Sequence, residues 1–135
     1  MRASKKLYQK LQKQYSKRIN LDLKRIKKVL SILHDPQDNL NNVINVIGSD
    51  GKNSFLTSLK YFLEADNKKV NTFTSPHLYD VRSRIWLGNR FISLAEIKKY
   101  KKIIEKTKQR LTLFELLTCI FILAATKTDS NSFNL

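Results

Sequence analysis

The segment VINVIGSDGKNSFLTSLKYFL, Val43 to Leu63, constrains the fold of this chain more than any other. Val43–Ile47 is a short run rich in β-branched residues, and it leads into a turn that contains Gly48 and Gly51. Such a run favours a buried parallel strand, and the apolar spacing after the turn favours a helix. The sequence therefore predicts strand, turn and helix in immediate succession. The residues predicted to mark one face of this helix are Phe55, Leu59, Phe62 and Leu63.

Helical spacing recurs on both sides of this unit. Apolar residues repeat at that spacing in residues 3–15 and 22–34, and the sequence HDPQDN ends the second segment. Ser93 and Glu96 form a predicted capping box that opens a basic helix extending to about residue 109. The segment LTLFELLTCIFILAA is apolar nearly all round, which predicts a helix buried against a sheet.

Three further segments predict strands. NKKVNTFT follows the central helix and predicts a second strand, which would complete a βαβ unit. RIWLGNRFIS predicts a hairpin around Gly88 and Asn89. The final residues, Ser-Phe-Asn-Leu, predict the beginning of an extended segment and hence an incomplete sheet.

Composition sets the class of protein only broadly. A chain of 135 residues with 41% hydrophobic residues can form one domain with a core. The net charge of +15 would attract nucleic acid, anionic membrane or phosphorylated molecules, and charge alone does not choose among them. The lysines fall largely at solvent-facing helical spacings, so we interpret the charge mainly as a solvated surface.

The lack of a recognisable targeting signal and the presence of a single cysteine predict a soluble, cytoplasmic protein. The basic N-terminus is followed by no apolar segment of the signal-peptide type, and no apolar run is long enough to span a membrane. The single cysteine, Cys119, excludes an internal disulfide and lies within an apolar run. We expect this thiol to be a small buried hydrophobic group.

The turn after the first predicted strand contains the parts of a phosphate-binding site. The first N–H groups of a helix lack partners, glycine lets the backbone approach an anion, and lysine neutralises it. Gly48, Gly51, Lys52 and Ser54 would supply these parts. The pattern G-x-x-x-x-G-K-[ST] is not met, because Asn53 follows the lysine directly. From the turn alone, a tight turn with a capping Ser or Asp is an equal alternative.

Several motifs in order resemble one enzyme family. GSDGKNS is similar to the shortened P-loop of the ATP-dependent Mur ligase superfamily, and FTSPHL resembles an element of its folate branch, dihydrofolate synthase and folylpolyglutamate synthase. Three further segments resemble elements of that branch, namely INLDLKRIKKVLSIL, SRIWLGNRFIS and LTLFELLTCIFI. The resemblance extends from about Ile19 to Ala125. It implies an α/β fold, a P-loop-type three-layer domain with a mostly parallel sheet, of which residues 1–135 would be the N-terminal part.

The resemblance also implies a reaction. ATP would phosphorylate the carboxylate of dihydropteroate or folate, and L-glutamate would displace phosphate to form an amide. ATP and Mg²⁺ are the implied cofactors. The implied partners are small molecules, without membrane or nucleic acid, and the implied oligomeric state is a monomer.

The resemblance also assigns roles to residues. Lys52 would be the principal catalytic cation, and Ser75 would match a magnesium ligand. The implied ATP-binding residues are Gly48, Ser49, Asp50, Gly51, Lys52, Asn53 and Ser54. The implied pteroate-binding residues are Ile19, Asn20, Leu21, Thr112, Leu113, Phe114 and Glu115.

Simpler structural roles exist for several of these residues. Thr112 and Glu115 also form an ordinary capping box, and the sequence Ser75-Pro76 is also an ordinary start of a loop. We interpret His77 as a residue that orders its loop rather than as a catalyst. The arginines at positions 82 and 84 either help to bind anions or lie in solvent.

The sequence departs from the family pattern in two ways. Family P-loops usually read G-T-N-G-K-G-S, whereas Asp50 here places a carboxylate beside the expected triphosphate and Asn53 adds a side chain at a close approach. The family's later E-V-G-L-G-G-R and Asp-His elements, which supply further metal ligands, and its C-terminal glutamate-ligase domain are not found in these 135 residues. We therefore predict that this chain alone does not catalyse ligation. The alternatives are a stand-alone P-loop nucleotide-binding module and, less favoured, a basic nucleic-acid-binding protein.

Overall fold

A mixed sheet with helices on both faces forms the body of the chain. The computed structural model describes residues 2–15, 22–77, 80–129 and 131–135. The helices in this part are α1 (Arg2–Gln14), α2 (Lys24–Ile32), α3 (Lys52–Ala65), α4 (Leu94–Glu105) and α5 (Leu113–Ala125). The strands are β1 (Val70–Phe73), β2 (Ile85–Gly88), β3 (Arg90–Phe91) and β4 (Phe133–Asn134). Short 3₁₀ turns occupy Pro36–Asn39 and Val81–Arg84.

The sheet has the strand order β3-β2-β1-β4. The predicted hairpin is confirmed: β2 and β3 are antiparallel, and Gly88 adopts a positive φ of 67° at the turn. β1 is antiparallel to β2 and parallel to β4. The sequence predicted a mostly parallel sheet, whereas the structure has a mixed one because the hairpin adds two antiparallel pairings. The α/β class itself is confirmed.

The segment Val43–Ile47 does not form the buried strand that its composition predicts. It makes a single parallel bridge, between Val43 and Asn134, and the Ile44 N–H donates to the Asn134 carbonyl at 2.9 Å. Ile47 is 91% exposed. Its partner strand β4 contains two residues, of which Asn134 is bridged to the segment. The βαβ unit is consequently reduced to a bridge, with β4 lying between the segment and β1.

Helix α3 buries only part of the predicted face, and it buries Leu56 in addition. Leu56 is buried against Val70 and Leu135, and Leu59 and Leu63 pack against the same cluster. Phe55 and Phe62 are 58% and 75% exposed, so their predicted place on the buried face is wrong. The cluster under α3 is small, and three leucines fill its contact with the helix.

Helix α5 is the centre of the main hydrophobic core. Ten of its side chains are buried, and α1, α2, α4 and the hairpin pack around it. The prediction of a helix buried against a sheet is confirmed. Cys119 is a free, fully buried thiol, and burial raises its pKa to about 12, which agrees with its predicted packing role.

Both predicted capping boxes are present. Ser93 and Glu96 exchange hydrogen bonds at the start of α4, as do Thr112 and Glu115 at the start of α5. Helix α4 ends at Glu105, before the predicted residue 109, because Thr107 binds the Ile104 carbonyl through its N–H and its hydroxyl. Within the described ranges, no helix is long and apolar enough to cross a membrane.

Candidate functional site

The turn between Ile47 and α3 has the backbone of an anion-binding loop. Gly48 and Gly51 both have positive φ, at 147° and 72°, and Gly51 is the residue that precedes the helix. The first N–H groups of α3 have no carbonyl partners within the helix, and they carry the positive end of its dipole. A negatively charged group at this turn would therefore meet a favourable field.

The side chain of Lys52 folds back over this turn. Its ammonium group donates to the carbonyl oxygen of Gly48 and, at 2.9 Å, to that of Ser49. An ammonium has three N–H donors, and the described residues provide acceptors for two of them. The positive charge thus lies at the mouth of the turn with one donor available for an anion.

The Ser75 loop is held by a buried arginine. Arg84, at the end of the second 3₁₀ turn, is 7% exposed. Its Nε donates to His77 Nδ1 at 2.9 Å, and its Nη1 donates to Ser75 Oγ at 3.3 Å. The Tyr8 ring meets the His77 ring edge-on, with the centroids 4.3 Å apart. Burial, and then the Arg84 charge, lower the pKa of His77; these contacts give His77 the loop-ordering position that the sequence predicted.

An ion pair at Asp80 connects helix α1 to the same loop. Arg82 binds both carboxylate oxygens of Asp80, and the shortest contact, from Nη2 to Oδ2, is 2.7 Å. The hydrogen bond from Arg82 lowers the pKa of the Asp80 carboxyl well below its ordinary value. The hydroxyl of buried Ser4 also donates to Asp80. Helix α1 is thereby tied to the segment between Ser75 and β2.

The sequence LTLFE at the start of α5 lies beside the strand that leads to Ser75. The exposed ring of Phe114 is 5.8 Å from the ring of Phe73, the last residue of β1. The Glu115 carboxylate is buried, accepts the Thr112 N–H at 2.6 Å and pairs with Arg25 at 3.0 Å. Glu115 therefore caps the helix and holds α2, while Phe114 presents an aromatic face to solvent.

A cleft of about 370 Å³ lies between helix α3 and the segment that follows β1. Asn53, on the first turn of α3, lines one wall, and Pro76 and His77 line another. Thr57 and Thr74 contribute hydroxyl groups to the lining. The GSDGKNS and FTSPHL motifs, which are far apart in the sequence, thus both contribute residues to this cleft.

The residues present fit a magnesium nucleotide. A Cβ on Gly51 would meet no atom within 4 Å, so this position is open and its positive φ is what favours glycine. Mg²⁺ prefers oxygen ligands and is commonly held by few protein groups together with substrate phosphates. The hydroxyls of Ser54 and Ser75 are such groups, whereas the described ranges contain no cluster of three His, Cys, Asp or Glu side chains for a metal.

The sequence predicted the surroundings of some candidate residues and left those of others open. Ile19, Asn20 and Leu21 lie outside the described residues, so their expected contact with pteroate stays a prediction. Arg84 was left open between anion binding and solvent, and the structure excludes solvent because its side chain is buried. No local pattern marked it, since its partners lie seven and nine residues earlier.

Comparison with known proteins extends these observations. No family model matches the chain. Dihydrofolate synthetase of Saccharomyces cerevisiae is 35% identical over 105 residues, which cover 75% of this chain and 24% of the yeast protein. A probable bifunctional folylpolyglutamate synthase/dihydropteroate synthase of Haloferax volcanii is 33% identical over 104 residues, 70% of this chain and 12% of that protein.

Solved structures agree in fold. The bifunctional folylpolyglutamate synthase/dihydrofolate synthase of Yersinia pestis, complexed with AMPPNP and an Mn ion, superposes with a TM-score of 0.82 at 26% identity. The match covers 96% of this chain and 32% of that chain. The chain therefore spans about a quarter of the yeast relative and about a third of the solved structure.

The fold is that of an α/β domain in which a glycine-containing turn leads directly into helix α3. Within this class, the chain is similar in sequence and in fold to a part of the dihydrofolate and folylpolyglutamate synthases.

Proposed function

We propose that this chain is the N-terminal, nucleotide-binding part of a ligase that joins L-glutamate to dihydropteroate or folate. ATP and Mg²⁺ are the proposed cofactors. The observation that carries the proposal is the turn from Gly48 to Ser54, where two glycines of positive φ, a helix N-terminus and the Lys52 ammonium converge. The similarity to the yeast dihydrofolate synthetase supports the same assignment.

The turn would bind and orient the triphosphate. The N–H groups at the start of α3 donate to phosphate oxygens, and Lys52 offsets their charge. Bound Mg²⁺ would further offset charge on the transferring phosphoryl group, and Ser54 and Ser75 are the residues that would hold it. Asp50 lies in the same turn, and its carboxylate opposes triphosphate binding unless a cation lies between them.

The proposed reaction has two steps. An oxygen of the pteroate or folate carboxylate bonds to the γ-phosphorus of ATP, and ADP leaves. The amine nitrogen of L-glutamate then bonds to the acyl carbon, phosphate leaves, and the nitrogen loses a proton. Orientation and charge neutralisation are the contributions expected of this chain, because phosphoryl transfer depends mainly on them.

The pteroate moiety is proposed to contact the start of α5. Phe114 is 53% exposed beside Phe73, so its ring can stack on a planar heterocycle. Glu115 is the proposed hydrogen-bond acceptor, although Thr112 and Arg25 already occupy its carboxylate. Thr112, Leu113 and residues 19–21 complete the proposed lining.

Nucleotide titration tests the proposal. We expect Mg-ATP to bind the wild-type chain and Lys52→Ala to weaken that binding by about 10-fold or more, since a charge-assisted hydrogen bond contributes roughly 1.5 to 3 kcal/mol. Isothermal titration calorimetry measures both affinities. Lys98→Ala is the matched control, because it removes the same charge from an exposed position on α4.

Equal affinity of wild type and Lys52→Ala would contradict the role given to Lys52. We further expect the purified 135-residue chain to form no glutamate conjugate from ATP, dihydropteroate and L-glutamate, because it spans only about a quarter of the length of the yeast relative. Product detected by mass spectrometry would show that this expectation is wrong.

A further inference from the structure

Arg84 makes two side-chain hydrogen bonds to the Ser75 loop that have no part in the proposed function. Arg84 donates from two nitrogens of its guanidinium, Nε to His77 and Nη1 to Ser75, the two residues that flank Pro76. One rigid group therefore holds both ends of this short loop. A planar guanidinium can make such a pair of bonds, whereas a lysine ammonium is a single point that cannot reproduce the fork.

The charge of Arg84 is not used to neutralise a carboxylate within the described residues. The neighbouring ion pair joins Arg82 to Asp80, and no described ion pair includes Arg84. A buried guanidinium without a carboxylate is costly to maintain, so tertiary packing must hold it in place. Tyr8 of helix α1 supplies part of that packing through its hydrogen bond with Arg84.

The bond to Ser75 restricts the orientation of the serine hydroxyl. A hydroxyl oxygen has two acceptor lone pairs and one proton. Arg84 occupies one lone pair at 3.3 Å and leaves the other for a cation. The positive guanidinium nearby disfavours a free metal ion and favours one that arrives with negatively charged phosphates.

We propose that Arg84 is a positioning residue that orients Ser75 Oγ toward a metal bound with a nucleoside triphosphate. The inference rests on the proposed function, because it requires Ser75 to approach a metal–triphosphate complex. It adds a residue that acts through Ser75 without touching the nucleotide. Its effect should therefore depend on the metal and not on the phosphates alone.

The test compares nucleotide affinity with and without metal. AMPPNP is titrated by calorimetry in the presence of Mg²⁺ and again in the presence of EDTA, for wild type, Ser75→Ala and Arg84→Lys. We expect Mg²⁺ to tighten binding to wild type, and both variants to lose about 10-fold or more of this gain. Affinity in EDTA should stay within about twofold of wild type, since a purely structural defect would lower both affinities.

Two further variants make the result specific. Arg82→Lys changes the partly exposed arginine of the same turn, which pairs with Asp80 and not with Ser75, and should keep the full gain from Mg²⁺. His77→Ala removes the other acceptor of Arg84 and should lose part of the gain, which provides a second test if thermal unfolding shows that Arg84→Lys is not folded.

The outcomes separate the two proposals. Wild type that binds no AMPPNP would contradict the proposed function and this inference with it. This inference alone would be overturned if nucleotide binding requires Lys52 while folded Arg84→Lys keeps the full gain in affinity from Mg²⁺. If Arg84→Lys does not fold, the same result in His77→Ala would overturn it. A full gain in Ser75→Ala would also overturn it, because the metal would then not depend on that hydroxyl.

Discussion

Single residues in the Gly48–Ser54 turn act through backbone geometry as much as through side chains. Gly51 has a φ of 72°, and a Cβ at this position would meet no neighbouring atom within 4 Å. Space is therefore available to a larger residue, and the cost of substitution comes from the left-handed conformation alone. This separates the conformational requirement of the turn from its packing.

Replacement of Gly51 by alanine is expected to lower the free energy of unfolding by about 1 kcal/mol, because alanine is strained at this φ. Gly51→Asn should lose less, since asparagine tolerates the left-handed region better. Urea denaturation of the three proteins measures the difference. Equal stability of wild type and Gly51→Ala would show that the turn does not keep this conformation in solution.

Among the elements, helix α4 begins with a capping box whose glutamate also forms an ion pair with Arg90. Glu96 closes the capping box at Ser93 and accepts two hydrogen bonds from Arg90, at 2.8 and 2.9 Å. The Arg90 hydrogen bond is the largest cause that lowers the pKa of Glu96 to about 2, from an ordinary value of 4.5. The capping box was predicted from the sequence, whereas the contact with β3 depends on where the hairpin packs.

The stability contributed by Glu96 is expected to depend on pH. Because its folded pKa lies below its unfolded pKa, the contribution is complete above pH 4.5 and is lost as the pH falls toward 2. After solvent screening at this partly exposed pair is allowed for, it amounts to on the order of 1 to 2 kcal/mol.

Urea unfolding at several pH values measures this effect. Glu96→Gln should be less stable than wild type near neutral pH and should lose less stability on acidification. Arg90→Gln should show the same trend, because it removes the main cause of the shift. A pH dependence in Glu96→Gln that matches wild type would assign the acid sensitivity to other carboxylates.

Across the whole molecule, the segment before the turn is held by contacts from the far end of the chain. Asn134 is buried and donates through its side chain to the Asn41 carbonyl at 2.7 Å. Its side-chain oxygen accepts from Asn71 at 3.0 Å, and its backbone bonds to Asn42 and Ile44. Asparagines thus join β1, β4 and the approach to the candidate phosphate site.

Asn134→Ala is expected to lower the free energy of unfolding by about 1 to 3 kcal/mol, because buried partners of its side chain lose their hydrogen bonds. It should also speed hydrogen exchange at the Ile44 amide, which bonds to the Asn134 carbonyl. Exchange followed by NMR measures this, with exposed Asn131→Ala as the control. Unchanged exchange at Ile44 in Asn134→Ala would remove the proposed role of this network.

Much of the candidate site could be read from local sequence. The turn, the start of α3 and the capping box at Thr112 depend on residues within a few positions of one another, so short-range rules are sufficient. Arg84 could not be read in this way. A buried arginine is rare, and its burial here follows from contacts with Tyr8 and with a loop ordered by other parts of the chain.

The sequence by itself determined the helices, the strand of residues 70–73 and the hairpin, because hydrophobic period, caps and turns are local properties. Only the tertiary structure decided that Val43–Ile47 makes a single bridge, that Leu56 rather than Phe55 or Phe62 is buried, and that the sheet is mixed. These outcomes depend on which distant residues are available as partners. Apolar character makes burial favourable, but long-range pairing determines which apolar residues are buried.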